Sequence, residues 1–524
     1  MTNTERICKI KKRLNKAFKR VLTASVSAFI LSAALPLGIA AETFSEDYDY
    51  IGGVIPEPDE VFEAHLCDED GSEEDLPERG SFPPSVDLST SKYFPPIGDQ
   101  GGVGSCAVFS TVYYQFTYEA NKLNDIASTA ENAYSPQWPY YYLRSQLSNG
   151  GVAVTSVYGF LEDHGALHME DNPYSQVYDP EHTLYSDTSK MRQALNTRLA
   201  DYTTIKISSS VTMPQDQDLD MVKNYLNNGK LLNVSSYFNF NIARSGDDLI
   251  MYRCCTHSSG HAFVIVGYDD NKSFDVNGNG IIEKAEKGAF KIANSWGSNF
   301  GNDGYAWVLY DALNTESAIP GNWEENLSGT RVRAFAFEND YNWFRAITVC
   351  NYRVDYVAEL TFDNVSRKEV RPALIKQKDG VTVHGPVIAG PCTTKEDSFT
   401  MVFDCYKVCQ GVEYENNGFS LGIDFYGNVK NPVSAKITDN RGNTIKDMTP
   451  VENQAGSYRT AINLTRGDVD YKDGITNKDA VMISRFCSGW DNLSNVQRYL
   501  ADYNGDGQVN NADAMLIKRY LATH

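Results

Sequence analysis

Between residues 82 and 336 the apolar positions change their period partway along the chain. Over 106–123, 154–164, 189–198 and 219–227 they recur at helical spacing. Over 262–268, 288–293 and 304–310 they form short runs rich in β-branched and aromatic residues, as strands do. Helices first and strands afterwards predict an α+β domain with two lobes over 81–336. From 337 to 455 the pattern is different, with short β-type runs at 345–351, 358–362, 399–403 and 419–425 separated by Gly, Asn and Asp turns. These predict a β-sandwich-like module. The last stretch, 464–524, holds a loop-plus-helix unit that occurs twice about 34 residues apart and predicts a small all-α module. The expected fold class is therefore a multidomain chain of an α+β unit, a β-rich unit of unassigned role and a short helical unit.

The N-terminus reads differently from all three. A cationic stretch containing Lys11, Lys12 and Arg13 precedes an apolar run from 21 to 39, then Ala40, Ala41 and Glu42. That order of charge, apolar run and small residues is a secretory signal peptide over 1–41, with a retained membrane anchor as the alternative. Residues 42–80 are acidic and contain Pro56 and Pro58, which predicts a linker or a short pro-segment.

At 524 residues the chain is too long for one core. Its net charge of −21 argues against nucleic acid or an anionic membrane surface as partner, and no stable membrane insertion is expected after signal cleavage. Nine cysteines remain once Cys8 leaves with the leader, an odd set in a compartment that permits disulfides. One thiol is therefore expected to stay unpaired.

Asp99-Gln100-Gly101-Gly102-Val103-Gly104-Ser105-Cys106 runs from a Gly-rich loop into the first predicted helix. A thiol at a helix N-terminus meets the positive end of the macrodipole, which favours thiolate. Gln100 lies where its amide can fold back beside the sulfur and, with the Cys106 N–H, form an oxyanion hole. His261 opens a buried β run and is the candidate base, ahead of His257 in a polar loop. Asn294, in Asn294-Ser295-Trp296-Gly297, can accept from the imidazole, with Trp296 shielding that bond from water.

Taken together, these three ordered motifs resemble the papain family of cysteine peptidases over about 82–310. The resemblance implies Cys106 as nucleophile, His261 as general base and acid, Asn294 as orienter and Gln100 as oxyanion donor. It also implies that Asn149-Gly150-Gly151 is the family's substrate-contacting loop, with Gly150 and Gly151 beside the substrate backbone. No catalytic cofactor is implied. Two departures stand out: Val103 where the family has Cys, and Ala107 where it has an aromatic residue. The family partner of the missing Cys falls at Ser148, so both ends of one family disulfide are absent together. The family's long inhibitory pro-region is absent too, which leaves latency unexplained.

His261 and Asn294 lie 33 positions apart, wider than the family spacing of about twenty. The insertion contains Asp275, Asn277, Asn279, Gly280, Ile281 and Glu286 at the first, third, fifth, sixth, seventh and twelfth positions of an EF-hand calcium loop. The C-terminal repeats carry the same plan, with candidate ligands Asp468, Asp470, Thr476 and Asp479, then Asp502, Asn504, Asp506, Gln508 and Asp513. In the first repeat Lys472 holds the fifth position and displaces the acid and glycine to Asp473 and Gly474. Two such loop-helix units resemble a type I dockerin, with a plain EF-hand sensor as the alternative. The resemblance implies structural calcium and a cohesin partner on a scaffold protein. It places recognition at Asn477 with Lys478, at Asn511 with Ala512, and at Lys518.

The combined expectation is a secreted, extracellular cysteine endopeptidase acting on protein or peptide substrates and held in a multi-enzyme complex. The competing expectation is a catalytically silent peptide-binding component of the same complex.

Overall fold

The computed structural model describes residues 54–66, 82–144, 150–177, 187–211, 217–319 and 329–366, shorter stretches between 372 and 470, and 474–524, apart from isolated positions. The leader, the acidic stretch outside 54–66, Ser148, Asn149 and residues 471–473 lie outside the described residues.

Three helical stretches, Cys106–Val108, Phe109–Phe116 and Thr117–Asn124, run on as one rod whose middle is wound in the wider π form. Every residue from 106 to 121 is buried, so this is a central helix with no solvent face. It stops at Asp125, which takes left-handed backbone (φ 55°). The helix Val154–His164 fits the expected span and buries Val157, Tyr158, Phe160 and Leu161. It ends at Gly165 (φ +67°), where a Cβ would stand 2.2 Å from the Ala194 carbonyl oxygen, so only glycine fits.

Ten strands form one sheet: β1 (Ser85–Asp87), β2 (Thr197–Ile207), β3 (Leu232–Ser236), β4 (Phe240–Ser245), β5 (Asp248–Cys255), β6 (His261–Ser273), β7 (Lys287–Ala293), β8 (Tyr305–Leu309), β9 (Arg331–Val332) and β10 (Asn342–Asn351). Its main path runs β2-β10-β3-β6-β7-β8-β5-β4, with β1 on β6 and β9 on β5. Two expectations are corrected here. The helix expected over 189–198 is Thr188–Ala194, because Thr197 and Arg198 already pair with Asn351 and Cys350. The strand expected at 345–351 does not belong to the middle module, since β10 lies between β2 and β3 and carries the enzyme unit past the expected boundary at 336.

The following strands are β11 (Tyr356–Ser366), β12 (Pro372–Lys378), β13 (Val381–Val387), β14 (Glu396–Asp404), β15 (Ser420–Phe425), β16 (Ser434–Asp439), β17 (Thr444–Asp447) and β18 (Ile462–Asn463). They form two four-stranded sheets, β14-β11-β16-β17 and β13-β12-β15-β18. The first shares one apolar core with the helix Val154–His164, through Val357, Leu360, Phe399 and Phe403 against Val157, Phe160 and Leu161. Arg198 and Asp404 form an ion pair inside that contact, and Arg192 pairs with Glu359 nearby.

At the C-terminus, helices Asn477–Cys487 and Asn511–Thr523 pack through Ala480, Ile483, Ala514 and Ile517, with Leu493 and Ala501 beside them. Among the described residues no helix is long and apolar enough to cross a membrane. Cys254, Cys350 and Cys487 form no disulfide, which overturns the expectation of a single unpaired thiol. The pairing of Cys67, Cys392, Cys405 and Cys409 falls outside the described residues.

Candidate active site

The loop before the central helix is tied to the opposite strand system residue by residue. The Gln100 N–H donates to the Ser295 carbonyl (2.7 Å), and the Gly297 N–H donates to Gly98 O (3.0 Å). The Ser295 hydroxyl donates to Gln100 Oε1 (2.6 Å), which leaves the amide nitrogen to donate to Val103 O (2.8 Å) and turns its N–H face toward the Cys106 end of the loop. Gln100 is fully buried. Tyr114, on the central helix, accepts from the Gly98 N–H (3.0 Å) and donates to Asn294 O (2.6 Å), joining the loop to the start of the Asn294 motif.

Cys106 opens the helix and is fully buried, as is Ala107 behind it. The Ala107 carbonyl accepts from the Ser110 and Thr111 hydroxyls. Cys106 shares an apolar core with Ala262, the residue after His261.

His261 Nε2 and Asn294 Oδ1 are 2.7 Å apart. His261 is buried, and its Nδ1 has no hydrogen-bond partner. Burial pushes the imidazole pKa down to about 4, while the bond to Asn294 opposes that shift. A buried neutral imidazole held at one nitrogen and open at the other can accept a proton from a neighbouring thiol and return it. Trp296 lies 4.8 Å from the imidazole, centroid to centroid. Phe238 packs on both rings, 4.7 Å from His261 and 5.0 Å from Trp296, although it must adopt a positive φ of 53° to do so.

Gly150 is buried with φ 44° and Gly151 is half-buried; Asn149 of the same motif is outside the described residues. Between this loop and His261 stands a feature absent from the sequence reading. The Val54 N–H donates to Gly260 O (3.3 Å), immediately before His261, and the Ile55 N–H donates to Val152 O (3.1 Å), immediately after Gly151. Glu57 accepts from the Thr155 N–H and hydroxyl, Asp59 from the Trp343 indole (2.6 Å) and Glu63 from Lys206 (2.6 Å). His65 stacks on Tyr202, and its carbonyl accepts from the Thr204 N–H. Residues 54–66 thus form a strap laid from the Gly151 and His261 walls across β10 and β2.

The inserted loop and the second C-terminal loop share their hydrogen bonds position by position. Asp275 accepts from the Asn279 and Gly280 N–H groups, as Asp502 does from Asp506 and Gly507. Glu286 accepts from Val276, Asn277 and Glu283 N–H; Asp513 accepts from Asn504 and Asn510 N–H. Asn277 and Asn504 each accept from the N–H two positions on, and Asn279 accepts from the Ile281 N–H as Asp506 does from the Gln508 N–H. In the first C-terminal loop, oxygens of Asp468, Asp470 and Asp479 lie within 4.8 Å of one another. Thr476 and Asp479 there form a reciprocal cap at the start of the helix Asn477–Cys487. Asn477, Lys478, Asn511, Ala512 and Lys518 are all exposed. Beside them are two exposed apolar residues that sequence reasoning missed, Val481 and Met515, each two positions past its loop. Their matched spacing in the two repeats was the available signal.

A thiol at a helix start, a buried imidazole paired with an asparagine and a buried glutamine on the adjoining loop describe a cysteine protease of papain type. Consistent with this, residues 82–319 match the family described as papain family cysteine protease, and residues 466–522 match the dockerin type I domain. Residues 82–319 are thus similar to papain family cysteine proteases, and residues 466–522 to type I dockerin domains. Mouse cathepsin K is 24% identical over 243 residues, covering 45% of this chain and 62% of that protein. Cathepsin B-like CP3 of Giardia intestinalis is 26% identical over 243 residues, covering 44% and 71%. Zingipain-2 of Zingiber officinale is 22% identical over 228 residues, covering 43% and 86%. Among solved structures, xylellain, a cysteine protease from Xylella fastidiosa, aligns over 60% of this chain and 100% of its own, at 19% identity and a TM-score of 0.37.

Proposed function

We propose that this chain is a secreted cysteine endopeptidase, kept latent by its N-terminal strap and attached through its dockerin to a cohesin-bearing extracellular scaffold. The observation that carries the catalytic part is the 2.7 Å contact between His261 Nε2 and Asn294 Oδ1, which leaves Nδ1 available. Cys106 Sγ, with its proton passed to His261 Nδ1, attacks the peptide carbonyl and forms the C–S bond. The carbonyl oxygen gains negative charge opposite the Gln100 amide and the Cys106 N–H. The imidazolium gives its proton to the leaving amine as the C–N bond breaks, and water activated by the neutral imidazole then hydrolyses the thioester.

Residues 42–80 act in this reading as a short pro-segment. A chain bonded to Gly260 O and Val152 O lies where a substrate backbone would run beside Gly151. Glu57, half-buried and bonded to Thr155, anchors it. The strap favours a latent enzyme over a silent binding component, because a permanently silent site has no need of a cover.

Asp468, Asp470 and Asp479 fit calcium, since three carboxylates gathered at one point repel unless a cation stands among them. The second loop and the inserted loop at 275–286 offer the same oxygen-rich plan. Bound there, calcium supplies rigidity to the loops and takes no part in the chemistry at Cys106. The exposed residues Asn477, Lys478, Asn511, Ala512 and Lys518, with Val481 and Met515, form the cohesin-facing surface.

The deciding experiment is hydrolysis of casein or a fluorogenic peptide by the secreted protein under reducing conditions, alongside Cys106→Ala. Activity confined to the wild type supports the reading. Equal rates in both, or no hydrolysis after the strap has been removed, would overturn it.

A further inference from the structure

Where the papain family has a disulfide beside the nucleophile, this chain has Val103, and the oxyanion loop must be held by other means. We infer that Tyr174 is a positioning residue, whose hydroxyl clamps the two ends of the Gln100–Ser105 loop and so sets the separation of the Gln100 amide from the Cys106 N–H. This rests on the cysteine-peptidase reading and deepens it.

The hydroxyl of Tyr174 donates to Gln100 O (3.0 Å) and lies 2.5 Å from Ser105 Oγ. With its one proton committed to Gln100, it accepts from Ser105, so one oxygen bridges residues at both ends of the loop. Ser105 directly precedes Cys106, and Gln100 carries the candidate oxyanion donor; the bridge therefore spans the backbone that fixes both groups. The ring is held in turn, edge-on to Phe109 of the central helix at 4.8 Å between centroids. Burial raises the pKa of this hydroxyl well above that of an ordinary tyrosine, which keeps the donor protonated at any working pH.

The residues after Tyr174 grip the same loop from outside. Gly101 (φ +62°) passes so close to Gln176 that a Cβ on it would stand 2.7 Å from Gln176 Cβ and 2.8 Å from its carbonyl oxygen. Gln176 Nε2 donates to Asp99 O (3.3 Å). Inside the loop, the Val103 carbonyl collects the Gln100 amide (2.8 Å) and the Ser105 N–H (2.7 Å), so its turn is tight once the ends are clamped. Hydrogen bonds replace a covalent staple, and Tyr174 is the residue through which both ends are joined.

The test separates the oxyanion hole from the nucleophile. Tyr174→Phe keeps the ring against Phe109 and removes only the clamp. In the full chain, kcat on a peptide amide is expected to fall about tenfold with KM changed less than about twofold, since loosening an oxyanion donor is a fraction of the roughly 10²–10³ lost when one is deleted. The rate of alkylation by iodoacetamide, a displacement that develops no carbonyl oxyanion, should stay within about twofold of wild type. Ser105→Ala breaks the bridge at its other end and should give the same selective loss. The double variant should be no slower than the slower single variant. An unchanged kcat in both single variants would overturn the inference, as would alkylation falling in step with kcat, or additive losses in the double variant. Absence of Cys106-dependent hydrolysis in the wild type after the strap has been removed would instead defeat the peptidase reading itself.

Discussion

Arg198 on β2 and Asp404 on β14 pair in a site closed to water, with side chains only 2% and 1% exposed. Neither charge has solvent to fall back on, and the pair lies where the middle module meets the peptidase domain. The module is thus built onto the enzyme rather than hung from it by a flexible joint.

Asp404→Ala should therefore destabilise the protein by roughly 3–5 kcal/mol, because it leaves a buried guanidinium without its counter-charge. Denaturant unfolding followed by intrinsic fluorescence checks this. The peptidase domain should lose stability together with the module, in a single transition.

Asn294→Ala should lower kcat by up to about 100-fold through misorientation of the imidazole. The sign of its effect on pH is fixed as well. The bond to Asn294 raises the pKa of His261 against the pull of burial, so its loss favours the neutral ring. The acid limb of kcat/KM, where the neutral imidazole takes up a proton and can no longer accept one from Cys106, should move to lower pH.

Replacing Val54 with Asp and Ile55 with Pro places a charge in the apolar contact and removes the N–H that bonds Val152 O. The double variant should hydrolyse a small peptide without a lag, whereas the wild type should need time or processing. Equal progress curves would rule the strap out as a cover.

The strap should also respond to pH in a defined direction. Burial raises the carboxyl pKa of Glu57 and that of Asp59 against the pull of their hydrogen-bond partners. A carboxyl whose pKa is higher when docked favours docking below its free pKa, and that contribution fades as pH rises through the docked value. Protection of the strap from an added protease should therefore weaken from acid toward neutral pH, and Glu57→Gln should flatten the dependence.

Chelation of calcium should lower the melting temperature of the chain, and Asp502→Ala should remove much of that difference. If Asp275→Ala also reduces the chelator's effect on peptidase activity, the inserted loop contributes to the rigidity of the strands around His261 and Asn294.

Much of the candidate site was legible because its residues sit in short contiguous motifs: Gln100 to Cys106, Ser259 to Tyr268 and Lys291 to Gly297. The helix Val154–His164 was legible from its apolar period alone. β10 was misplaced because a short run of aromatic and β-branched residues reads the same whether it joins a sandwich or the enzyme sheet, and its partner β2 begins about 150 residues earlier. The strap was read as linker or pro-segment because prolines and acids dominate locally, while the burial of Val54 and the partial burial of Glu57 depend on walls supplied by distant residues. Tyr174 gave no signal beyond a lone tyrosine after Pro173, since its importance lies in what its hydroxyl reaches across the fold.

The position of β10 between β2 and β3 also sets when the sheet can close during synthesis. Strands from 197 onward emerge early during synthesis, yet the gap between two of them is filled only after residue 351 has left the ribosome. A nascent or prematurely terminated chain holds every motif residue from Gln100 to Asn294 and still has an unzipped sheet. A chain stopped before residue 342 therefore lacks the strand that joins β2 to β3.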